Sequence, residues 1–247
     1  MALIARPHPP ALPHGELREV LPDLFFVTGG IKLPGVLPVR FSRNMVVVRR
    51  GDKLTLLNSV RLDDAGLAAL DKLGKVSDVV RIAGNHGMDD PFYAERYGAA
   101  VTVVRGHRYT VGFGGGPDVY FTPQREVVQG DELPCGGKLI VLDATPPEGA
   151  VLLPDHGGTL VVGDMLQNWE RADPYFNKFG AVMLRMLGFI KPLNVGPAWW
   201  KNCKPPKPQL RAVADLAFAN VLPAHGLPVI GDAVAKYSPV IQRLTQA

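Results

Sequence analysis

The chain has 247 residues, 47% hydrophobic and 20% charged, with 27 basic against 23 acidic side chains and a formal net charge of +4. That is the balance of a globular chain long enough to bury a full core, and it excludes a disulfide-stapled miniprotein or a disordered tail. The mild basicity comes without a run of Lys and Arg or a nucleic-acid motif, so no nucleic-acid partner is expected.

Residues 1–15 read as an extended Pro-rich arm, with His8 and His14 expected to be disordered in it, and residues 16–247 as one domain. Short strands are predicted over Leu24–Thr28, Met45–Arg49 and Leu54–Asn58, with Arg50-Gly51-Asp52 as a hairpin turn. A helix follows, capped by Asp63 or Asp64, with Leu67, Leu70 and Leu73 at helical spacing and Gly74 at its end. The strand Asp78–Ala83 runs into a polar loop, Gly84–Pro91. A helix over Phe92–Tyr97 and a strand over Ala100–Val104 come next. His107 reads as a surface-loop residue. Gly114-Gly115-Gly116 lacks the Gly-Lys-Ser/Thr ending of a phosphate loop and reads as a turn.

Strands are predicted at Leu139–Leu142, Val151–Leu153 and Leu160–Val162, with Asp155-His156-Gly157-Gly158 as a hairpin turn. Residues 168–208 carry Trp169, Trp199 and Trp200, an apolar helix near 181–190 and a Lys/Pro-rich loop. This insertion is either a lid shaping a pocket, with Phe176, Phe179, Trp199 and Trp200 lining it, or a helix packed on the core with a solvated basic loop. A helix over Gln209–Ala219, a strand over Asn220–Leu222 and a last helix over Asp232–Leu244 complete the chain. Helices crossing between strands predict an α/β layer fold. Cys135 and Cys203 form no CxxC pair. With no apolar segment of signal-peptide or membrane-spanning length, the expectation is free thiols and a cytoplasmic protein without membrane association.

Three loops follow apolar strands and carry metal-ligand side chains: His86-Gly87-Met88-Asp89-Asp90, Gly163-Asp164, and Pro223-Ala224-His225-Gly226. In α/β sheets, sites gather at the carboxyl ends of strands, where imidazoles and carboxylates can converge on a divalent cation. Taken in order, these loops resemble the motifs of the metallo-β-lactamase superfamily. Its first motif is His-x-His-x-Asp-His, followed by a lone His, a Gly-Asp and a late His inside Pro-x-His-Gly. His86 stands at the first histidine, Met88 at the second, Asp90 at the aspartate and Pro91 at the following histidine. Ala144, in Asp143–Gly149, replaces the lone histidine. Gly163-Asp164 and His225 match the last two motifs. The resemblance covers about Glu16 to Pro239 and extends to a bacterial branch of the superfamily with a reduced motif, some of whose members carry a glutamate where Glu148 stands.

The resemblance implies an αββα sandwich. With three of five usual histidines gone, it implies one metal rather than two: zinc, manganese or iron held by His86, Asp90, Asp164 and His225. Glu148 is an extra ligand or a support behind them. Asp90 is a ligand or the general base, with Asp89 as its alternate if the loop shifts by one residue. Met88 is a packing residue. The implied activity is a hydrolase-like one on a small ester, lactone, amide or phosphoester. Two other readings stay open. One is a ligand-binding or regulatory protein that holds no metal. The other is a mononuclear iron oxidoreductase. A small molecule is the expected partner, and a homodimer is compatible with the apolar insertion.

Overall fold

Alternate side chains of the strands enter different cores, and that alternation builds the layers. The structure, a computed structural model, describes residues 3–33, 38–111 and 116–246. Gly114 and Gly115 of the glycine run lie outside the described residues. Strands β1 (Arg18–Leu21), β2 (Leu24–Leu33), β3 (Val39–Arg50) and β4 (Lys53–Leu57) form an antiparallel meander. Helix α1 (Asp64–Leu73) crosses back, so β5 (Lys75–Arg81) lies parallel to β4. Helix α2 (Asp90–Tyr97) does the same for β6 (Ala100–Val104). A small hairpin, β7 (Tyr109–Thr110) with β8 (Val119–Phe121), leads to β9 (Arg125–Val127), which completes a sheet in the order β1-β2-β3-β4-β5-β6-β9.

The second sheet has the order β10-β11-β12-β15. Strands β10 (Lys138–Leu142), β11 (Glu148–Leu153) and β12 (Thr159–Val162) are antiparallel. The chain then makes β13 (Leu166–Gln167), α3 (Lys178–Met186), β14 (Asn194–Val195), α4 (Pro197–Cys203) and α5 (Lys207–Val213). It returns as β15 (Asn220–Pro223), parallel to β12, and ends in α6 (Ala233–Gln246). Among the described residues, β13 and β14 pair only with each other.

Along β2 and β3, Phe25, Val27, Met45 and Val47 pack under α1 and α2, against Leu67, Leu70 and Tyr93. Their neighbours Leu24, Phe26, Val46 and Val48 point the other way and meet Val151, Leu153, Val161 and Leu222 of the second sheet. The far face of that sheet, with Ala150, Leu160 and Val162, is covered through Trp199, Leu210, Tyr237 and Ile241 of α4–α6. The fold is therefore α/β, a helix–sheet–sheet–helix sandwich. Each fully buried Leu, Val or Phe contributes about 1.5–3 kcal/mol, so the inner core joins the sheets without a cross-link, and both cysteines are free and buried. No helix among the described residues is long and apolar enough to cross a membrane.

Several expectations need correction. The described part of the Pro-rich arm is docked. His14 bridges Gly29, and its Nε2 accepts the Asp63 N–H at 2.9 Å while Nδ1 donates to the Gly15 carbonyl. His8 meets the Glu95 carboxylate at 2.7 Å. His107 is buried, not on a surface loop. Helix α2 starts at Asp90, two residues before the expected Phe92, because Pro91 fits a first helical turn, where a missing N–H costs nothing. The helix expected at 181–190 spans Lys178–Met186, since Asn177 caps it by accepting the Gly180 N–H at 2.8 Å. The helix expected over Gln209–Ala219 runs from Lys207 to Val213.

Candidate metal centre

The carboxyl ends of β5, β12 and β15 open toward one another, and each hands the chain to a loop bearing one of the sequence-predicted ligands. Three of the five come together. The Asp164 Oδ1 lies 3.2 Å from His225 Nε2 and 3.5 Å from His86 Nε2, and the three ligand atoms all fall within 4.8 Å of one another. The group is largely buried, with His86, Asp164 and His225 side chains 6%, 16% and 8% exposed.

The donor set fits a divalent cation. The Nδ1 of His225 is 3.0 Å from the Ser42 carbonyl, and a carbonyl only accepts, so Nδ1 carries the proton. In the neutral ring Nε2 is then a bare lone pair facing a carboxylate. Two acceptors at that separation need a cation, proton or metal, between them. The spacings also suit one ion. Ligand atoms about 2.0–2.2 Å from a tetrahedral zinc lie roughly 3.3–3.6 Å apart. Burial pushes the His86 imidazolium down, against the pull of Asp164. Burial works the other way on Asp164, but His86 and His225 hold its carboxyl far below the usual carboxylate range. Asp164 is thus held ionised by a proton on the facing rings, and a metal, which requires neutral imidazoles and an ionised carboxylate, would take that proton's place.

Glu148 sits behind this group rather than in it. It is 2% exposed, and its Oε1 accepts the Asp164 N–H at 2.6 Å and the Met165 N–H at 3.2 Å. Burial, and then the charge of Asp164, push its carboxyl well above the ordinary value. Gly163 makes room for this contact: a Cβ there would lie 2.4 Å from Ala83 Cβ and 2.5 Å from Glu148 Oε1.

Asp90 does not join the three-atom group either. Its carboxylate accepts from the Ser59 and Tyr109 hydroxyls, inside the protein at 0% exposure. Burial raises it to about 6, against those two bonds and the nearby Arg81. It shapes the turn instead, since at Gly87, with φ of +83°, a Cβ would collide with its Oδ2. Asp89 pairs with Arg43 and accepts the Arg61 N–H at 2.7 Å. These placements follow from α2 beginning at Asp90, which folds the second half of the motif under the helix.

Sequence reasoning missed the residues that orient the ligands. The indole of Trp169 donates to Ser42 Oγ at 2.9 Å and its ring lies 4.7 Å from that of His225. Asn44 ties the β15 loop down by donating to the carbonyls of Pro223 (2.9 Å) and Gly226 (2.7 Å). None of these residues belongs to a motif. The available signal was only that buried Ser and Asn in a strand must find partners. Beside the cluster lies a cleft of about 1680 Å³, lined by His86, Met88, Arg43, Arg61 and the docked arm. Phe176, Phe179, Trp199 and Trp200 do not line it, contrary to the pocket reading of the insertion. Trp199 is core.

Comparison with solved structures returns the same architecture. The chain is similar over 98% of its length, and all of the other chain, to the metallo-β-lactamase FIM-1 from Pseudomonas aeruginosa in its mono-zinc form, at 13% identity and a TM-score of 0.61. It resembles the DIM-1 metallo-β-lactamase exposed to ceftazidime over 93% of this chain and 98% of that one (12% identity, TM-score 0.60). A metallo-β-lactamase from Erythrobacter litoralis aligns over 94% and 95% (14% identity, TM-score 0.53). The chain has the metallo-β-lactamase fold. No protein-family model and no curated protein sequence matches it.

Proposed function

We propose that this protein is a metal-dependent, hydrolase-like enzyme with a single-ion site formed by His86, Asp164 and His225, acting on a small ester, lactone, amide or phosphoester. The observation that carries the reading is the pair of mutually facing acceptors, His225 Nε2 and Asp164 Oδ1 at 3.2 Å, with His86 Nε2 3.5 Å from the same oxygen. The mono-zinc form of a fold neighbour supports one ion rather than two. When bound, such an ion polarises the scissile group and acidifies water. The chain's own residues do the rest. Ser42 fixes the His225 tautomer, and Glu148 holds the backbone of Asp164. Asp90, bound by Ser59 and Tyr109, braces the His86 turn and leaves the ligand atoms free.

Two imidazoles and a carboxylate are also the donor set of non-haem ferrous sites, so the element itself separates hydrolysis from oxygen chemistry. The test is elemental analysis of protein purified without chelator, beside a His86→Ala/His225→Ala double variant. We expect near one equivalent of zinc, manganese or iron in the parent and none in the variant. Protein that stays metal-free after reconstitution, or a variant that keeps its metal, refutes the reading.

A further inference from the structure

We propose that the cleft beside the cluster is built for an organic oxyanion, a small molecule whose carboxylate or phosphate end is held by Arg61 among the other basic side chains of the wall. The cleft is lined by seven basic side chains against two acidic ones, and both acids are already engaged. Asp89 is bound by Arg43 and by the Arg61 N–H, and Glu95 by His8. Arg81 donates to the carbonyls of Ala83, Gly84 and Arg108, which satisfies its N–H groups without cancelling its charge. The excess positive charge therefore faces the cleft, where low-dielectric walls strengthen its pull on an anion.

The donors are in place as well. The Arg61 guanidinium carbon sits over the Phe92 ring, 3.1 Å from its centroid, and Asp89 takes the backbone N–H of Arg61 rather than its guanidinium. Arg43 beside it is already engaged, its Nη1 donating to the Ser59 carbonyl at 3.1 Å and its Nη2 pairing with Asp89, which leaves Arg61 to the ligand. A guanidinium without a carboxylate partner of its own can give a charge-assisted hydrogen bond to a carboxylate or phosphate. The cleft exceeds the roughly 300–1,000 Å³ of typical small-molecule pockets and reaches His86. It suits an elongated molecule, anion at one end and reactive group at the other. Only the fate of that reactive group rests on the function proposed above; the anion site does not.

The experiment is calorimetric titration of inorganic phosphate and of succinate into chelator-treated protein at low ionic strength. It is repeated on Arg61→Gln and on Arg40→Gln, whose parent residue is an exposed wall residue of the same cleft. We expect saturable binding of at least one anion without metal, roughly tenfold weaker in Arg61→Gln and more modestly weaker in Arg40→Gln; the preferred anion identifies the chemistry. If Arg61→Gln does not fold, Arg40→Gln and Arg108→Gln decide. The proposal falls if neither anion binds, if binding appears only after zinc is restored, or if the variants that fold bind like the parent. Absence of metal uptake, by contrast, would overturn the function reading and leave this result standing.

Discussion

A neutral imidazole has one N–H to give, and His107 donates its own to the Pro147 carbonyl at 2.7 Å. Its other nitrogen is buried with no partner, so a second proton has nowhere to go. Burial, helped by the charge of Arg81 and opposed by the Pro147 bond, lowers the group to about 4. The unfolded chain takes up that proton near 6.5, about the ordinary value. Between those values the unfolded state binds more protons, so the contribution is complete above about pH 6.5 and is lost as pH falls through about 4. The gap amounts to about 3 kcal/mol. Asp90, raised to about 6, pulls the opposite way in the same window, so the comparison must be made within one pair of proteins. His107→Gln, which keeps a donor for Pro147, should lose less of its urea midpoint between pH 7 and pH 4.5 than the parent does. Equal losses would refute this. At Glu148, where burial pushes the carboxyl well above its ordinary value, an amide keeps the acceptor oxygen. Glu148→Gln should retain metal, while Glu148→Ala, which strips the acceptor from two backbone N–H groups, should lose roughly tenfold or more in metal affinity, read by competition with a chelator dye. His86, Asp164 and His225 could be read in the sequence because each ends an apolar strand. The support role of Asp90 could not, since it depends on Ser59 and Tyr109, 31 and 19 residues away, whereas Glu148 was expected as an extra ligand or a support and is the support.

Caps and close contacts set the element boundaries. Asn177 accepts from Gly180 at the start of α3 and also joins it to β3, accepting the Arg40 N–H at 3.2 Å and donating to the Pro38 carbonyl at 2.7 Å. Asn177→Ala should cost about 1–2 kcal/mol and speed amide exchange across α3 while leaving that of α1 unchanged; uniform exchange would contradict the local role. Gly163→Ala forces a methyl between Ala83 and Glu148 and should lower metal affinity more than it lowers stability. α1 was legible because its cap, leucine spacing and terminal glycine agree; a Cβ at Gly74 would meet the Asp52 carbonyl at 2.5 Å. Helix α4 escaped notice because it has seven residues and its tryptophans fit a loop equally well. Strands β1 and β9 are too short for a period of two to register.

At the scale of the molecule, the sandwich and its order of loops were readable because alternation assigns each strand two faces. The way the sheets are stitched was not. Gly149 donates to the Ile82 carbonyl at 2.6 Å, and Asn44 donates its backbone N–H to Ala224 at 2.8 Å. Asn58 Nδ2 reaches the Val162 carbonyl at 3.2 Å. The candidate ligands likewise come from both halves, His86 after β5 of the first sheet and Asp164 and His225 after β12 and β15 of the second. An ion there binds only the assembled sandwich, so zinc should raise the unfolding temperature, by about 2.7 kcal/mol of added stability at a hundredfold excess over Kd. His86→Ala should abolish that rise, and a rise that persists in the variant would place the ion elsewhere.

The same division has a consequence during synthesis. His86 leaves the ribosome 139 residues before His225, roughly 7–28 s earlier at about 5–20 residues per second. Through that interval the inner faces of β2 and β3 wait, apolar and uncovered, for strands not yet translated. The nascent chain must therefore be shielded or fold late, and His86 can meet Asp164 and His225 only after the last strand is in place.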